Sequence, residues 1–174
     1  MTASRLKDKA VSKEMRSPME VVGETLERYA QRGVFRGFSR GPVSDGKAVF
    51  RMVWHRDKTF DFCFDYWKKT MRFPVVLPNV PANSPMQREL KEFIKACHSD
   101  ELPEHRRIDT RKAQAHATNR SGNVSLTLRV MDGDYEYGAR KLIHLVHEIF
   151  MTFLLDGKYF DYVVETFDLD PDKM

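Results

Sequence analysis

The chain has 174 residues, with 29 Lys and Arg against 25 Asp and Glu for a formal net charge of +4, and a hydrophobic fraction of 41% that includes 12 Phe. That suffices for one core and argues against two domains, and the near balance of charge excludes a single polycationic field. With 2 Cys there is no disulfide framework, and with no apolar run of spanning length or leader-like opening segment the chain reads as a cytoplasmic protein without a membrane partner.

Residues 1–16 carry Arg5, Lys7, Lys9, Lys13 and Arg16 with little to bury, and are read as a mobile basic arm ahead of one α+β domain over 17–170 and a tail over 171–174. Ser17-Pro18-Met19-Glu20 and Ser84-Pro85-Met86-Gln87 are two copies of one helix-start signal: Ser to cap, Pro for the first turn, and Glu or Gln to close a capping box. The first helix spans Pro18 to Arg32, with Met19, Val22, Leu26 and Tyr29 at helical spacing and Gly33 as its stop. Three extended runs follow, Val34 to Ser39, Ala48 to Trp54 and Thr59 to Trp67, the last alternating with Phe60, Phe62, Phe64 and Tyr66 on one face. They predict an antiparallel meander with one wet face. Residues 71–83, broken by Pro74, Pro78 and Pro81, suit an edge segment or a crossing loop better than a central strand.

The second helix runs from Pro85 to about Cys97 on the stripe Leu90, Phe93, Ile94 and Cys97. After a polar stretch from His98 to Thr110, a hairpin pairs Arg111 to Thr118 with Asn123 to Val130, turning Val124, Leu126, Leu128 and Val130 to the core. The longest helix spans about Tyr135 to Leu155, ends at Asp156-Gly157, and is followed by a short helix from Tyr159 to Phe167 and an acidic tail. The fold class is α+β: an antiparallel sheet in the order α-βββ-α-ββ-α-α, with the helices packed on one face.

This element order resembles the type III secretion chaperone-like fold, shared by secretion chaperones and YbjN-type proteins, over roughly residues 18–155. The resemblance implies a homodimeric module that binds a polypeptide segment and catalyses nothing. Secretion chaperones are typically acidic, whereas this chain is basic and adds an arm and a C-terminal helix. The resemblance supplies no site residue.

The most enzyme-like string is His144-Leu145-Val146-His147-Glu148, yet it matches neither the His-Glu-x-x-His zincin pattern nor its inverse, and it reads as a solvated helix face beside Arg140 and Lys141. No catalytic residue, metal or cofactor is expected. A basic group, His105, Arg106, Arg107, Arg111, Lys112, His116 and Arg120, could form a stripe that tracks phosphates or an acidic peptide. Aromatic residues to stack bases are missing from it. Of the Arg32-Gly33, Arg36-Gly37 and Arg40-Gly41 pairs, Gly33 ends a helix and Gly41-Pro42 is read as a turn, and neither Asp132-Gly133-Asp134 nor the segment from Asp168 to Asp172 completes a calcium loop.

The sequence therefore predicts a non-catalytic protein-interaction or chaperone-like module, binding a polypeptide or a second copy of itself. Leu145, Met151, Leu154 and Phe167, apolar positions beyond one core stripe, are its expected interface. The alternative is a nucleic-acid-binding accessory protein using Arg106, Arg107, Arg111, Lys112, His116 and Arg120.

Overall fold

The computed structural model describes residues 18–167. The basic arm, Ser17 with its capping role, and the acidic tail beyond Phe167 lie outside the described residues. Helix α1 covers residues 18–31. Gly33 (φ 78°) closes it in the predicted way: Gly33 N bonds Ala30 O and Val34 N bonds Tyr29 O, the paired bonds of a left-handed helix stop.

The remaining elements are β1 (Arg36–Ser44), β2 (Lys47–Val53), β3 (Thr59–Asp65), β4 (Thr70–Leu77), α2 (Pro85–Ala96), β5 (Ala113–Arg120), β6 (Asn123–Val130), α3 (Tyr135–Glu148) and α4 (Phe160–Phe167). All strand pairs are antiparallel, in one six-stranded sheet of order β1-β2-β3-β4-β6-β5. The α+β class and element order are as predicted, with one strand added. Residues 70–77 are not an edge or a crossing loop but a central strand between β3 and β6. Pro74 is tolerated there because the β4–β6 ladder is irregular between Phe73 and Leu77, where a missing N–H breaks no regular pairing.

Alternation decides the two faces. Phe50 lies opposite Phe62, Phe64 opposite Met71 and Met71 opposite Leu128, all buried under the helices. At about 25 cal/mol per Å² of apolar surface, each such side chain contributes roughly 2–3 kcal/mol. On the other face Arg51 lies opposite Asp61, Cys63 opposite Arg72, and Thr127 opposite both Arg72 and His116, so that face is polar. Helix α3 lies close on β6 and β4 because residue 138 is glycine: a Cβ there would fall 2.7 Å from the Val130 side chain.

Two features around α3 correct the sequence reading. The long helix is α-helical only to Glu148; Ile149–Phe153 is a π-helical turn, with Leu154 N bonding Ile149 O. The extra residue shifts the helical phase by about 100°, so positions after it no longer follow the wheel drawn from α3. The stretch from His98 to Thr110 also folds back over α3. Ile108 is buried, Tyr137 Oη accepts from Asp109 N at 2.9 Å, and the buried Lys141 donates from Nζ to His105 O at 3.2 Å. Burial pushes the Lys141 ammonium below its usual range.

Candidate binding groove

Of the four residues expected at an interface, three are inside. Leu145 is 2% exposed, Leu154 3% and Phe167 6%. Leu145 is covered on the side where Cys97, Arg106 and Ile108 meet α3, Leu154 is rotated inward by the π turn, and Phe167 packs on Phe150 at 5.8 Å. Met151 is 51% exposed, and the structure adds Leu155 and Phe160 at 56% and 46%.

Helix α2 and the segment 152–159 enclose a groove of about 590 Å³. Its floor is aromatic: Phe93 lies 5.4 Å from Phe153, which lies 4.7 Å from Tyr159, centroid to centroid. Ser84 positions this wall of the groove, since its side chain accepts from Gln87 N and Pro85 occupies the first turn, as the sequence predicts. Gln87 does not bond back to the Ser84 amide. Its Oε1 accepts instead from Asn83 N and from Asn119 Nδ2, tying α2 to the β5–β6 turn. The other wall is set by Asp156, which caps the 3-10 turn Gly157–Tyr159 by accepting from Lys158 N. The rim is charged, with Lys158 paired to Glu89 at 3.5 Å, Arg88 donating to Asn83 O, and Glu92 and Asp156 beside them. Among the described residues the buried Tyr159 hydroxyl has no hydrogen-bond partner. Such a group costs roughly 1–3 kcal/mol unless something completes it.

The expected basic stripe is dispersed. Arg111 makes two hydrogen bonds to Asp109, and Lys112 reaches Asp132 at 2.7 Å and Asp134 at 3.2 Å over the Tyr137 ring. Hydrogen bonds to these carboxylates push the Arg111 and Lys112 pKa values up, and hydrogen bonds from Arg111 and Lys112 hold Asp109 and Asp132 below the usual carboxylate range. Arg107 donates to Asp100 O, Arg106 is exposed on the loop, and His116 and Arg120 stand exposed along β5, Arg120 at the turn. Local acids thus neutralise the two central cations.

His144 and His147 diverge. His144 Nε2 lies 3.4 Å from Glu148 Oε1, while His147 approaches His55, 5.4 Å between ring centroids. Among the described residues no group of three or more His, Cys, Asp or Glu could hold a metal ion. Cys97 lies near His144 and Glu148, but burial pushes its thiol up to about 11, which keeps it protonated and unreactive.

A second cavity, about 600 Å³, was not legible from motif spacing: it is lined by Phe35, Trp54, His55 and His147, with Arg36 paired to Asp57 at 2.7 Å. His55 stacks on Phe150 at 4.5 Å, its buried Nε2 has no partner among the described residues, and Arg56 and Asp57 after it both hold positive φ. Burial, then His147 and Arg56, lower its pKa to about 4, so the ring is neutral at pH 7.

The chain matches no family model, no curated protein and no solved structure. Among the described residues no helix is long and apolar enough to cross a membrane.

Proposed function

We propose that this chain is a non-catalytic protein-interaction module that seats an apolar side of a polypeptide segment in the groove between α2 and residues 152–159. The observation that carries this reading is the aromatic floor Phe93, Phe153 and Tyr159, with a tyrosine hydroxyl that has no hydrogen-bond partner among the described residues. Large apolar anchors in such a groove, with a charged rim excluding the wrong register, are how helical and extended peptides are held. Met151 and Leu155, in and just after the π turn, are exposed. The resemblance to polypeptide-binding chaperones points the same way.

Panning a random peptide library on the immobilised chain tests it. Enriched peptides should carry two or more large apolar residues and bind about tenfold more weakly to T152W and to E92W, each of which fills part of the groove. Peptides that bind these variants as well as wild type, or no enrichment at all, would refute the assignment. Light scattering on the same proteins separates a second copy as occupant, because self-association would then fall in both variants.

A further inference from the structure

On the opposite flank of α2 lies a second groove, about 540 Å³, between that helix and β5. β5 is an edge of the sheet. Lys91 and Lys95 on α2 and His98 and His116 line this groove, and no acidic side chain does. Among the described residues Lys91, Lys95 and His116 have no ion pair or side-chain hydrogen bond, unlike Arg111 and Lys112 nearby. The strand side is shallow, since Ala115 and Ala117 carry only methyl groups toward the helix layer.

The edge is not sealed. His98 accepts from Ala115 N through Nε2 at 3.0 Å while its Nδ1 lies 2.9 Å from Ile94 O, so one neutral tautomer, protonated on Nδ1, serves both. Ala113 N bonds Asp109 O. Since Ala115 N–H points away from β6, antiparallel alternation sends the N–H and C=O of Ala117 and the carbonyls of Ala113 and Ala115 to the same outer edge, where no strand of the described residues lies beside them.

We propose that this groove binds an acidic, extended polypeptide segment that adds to the β5 edge, its main chain bonding Ala117 and its carboxylates meeting Lys91 and Lys95. The charge of the groove selects the class of partner: an edge flanked only by bases repels a basic strand and attracts an acidic one. Main-chain bonds supply binding at the edge, and alternate side chains supply the choice. The site is independent of the aromatic groove and stands or falls without it.

Fluorescence anisotropy with a labelled peptide of alternating Glu and Val tests the proposal on the full chain. K91E/K95E should weaken binding about tenfold, whereas K58E/K68E, an equal change of net charge on distant turns, should leave it within about twofold. The same peptide N-methylated at alternate residues should also lose about tenfold, because it cannot donate to the edge. No binding to wild type, equal weakening by the two charge-reversal pairs, or full binding of the N-methylated peptide would each overturn the proposal. Circular dichroism of the exposed-lysine variants verifies that they fold.

Discussion

Replacing His55 by Phe should stabilise the protein, and more so in acid. In the folded chain the ring is half-buried, stacked on Phe150 with an interplanar angle of 6°, its Nε2 has no partner among the described residues, and its pKa is lowered from 6.5 to about 4. An unfolded chain takes up a proton on this histidine below pH 6.5, while the folded chain resists until about pH 4. Stability is therefore intact above pH 6.5, falls as pH drops from 6.5 to 4, and levels off below. The full shift corresponds to about 3 kcal/mol at 1.36 kcal/mol per unit. Partial exposure of the ring screens this to roughly 1–2 kcal/mol.

Phe keeps the stack and removes both the proton site and the orphaned nitrogen. H55F should therefore gain about 1 kcal/mol at pH 7.5, and its advantage should widen by roughly 1–2 kcal/mol at pH 4.5. For a chain of this size that widening is about 2–8 °C in Tm. Thermal melts of both proteins across this pH range are the assay. Parallel pH profiles would refute the assignment of acid lability to His55, and a loss at pH 7.5 would show that Nε2 has a hydrogen-bond partner in the folded chain.

Charge at the buried positions should act on folding, not on association. L154D and F167D should each lose about 3 kcal/mol or more by chemical denaturation, because a carboxylate would enter the core. If either stays as stable as wild type and only dissociates, its burial is wrong. Cys97 and Cys63 should react slowly with iodoacetamide at pH 7.5, since burial raises both thiols, Cys97 to about 11. Denaturant should then release a burst of labelling, and a fast native reaction would contradict the burial argument.

How much of this was legible in the sequence can be argued element by element. The helix starting at Ser84, the helix stop at Gly33, and the alternation of Phe60, Phe62 and Phe64 are local signals, and the chain obeys each of them. Capping, left-handed glycine and the two-residue period act over a few residues, so no distant contact is needed to read them. The class and order of elements follow from that local grammar. What required the tertiary structure was everything that depends on neighbours far away in sequence. Pro74 argues locally against a central strand, but β3 and β6 close around it and the ladder skips there. Helical periodicity predicts a solvent-facing Leu154, but one π turn displaces the phase, and Leu145 is hidden by a loop some forty residues earlier in the chain. Arg111 and Lys112 read as a cationic stripe until the fold brings Asp132 and Asp134 to Lys112 and turns Asp109 onto Arg111. The sequence by itself determined which segments are helices and strands, because those preferences are local; only the tertiary structure decided which apolar and charged side chains remain free to bind, because burial and charge pairing are properties of the assembled surface.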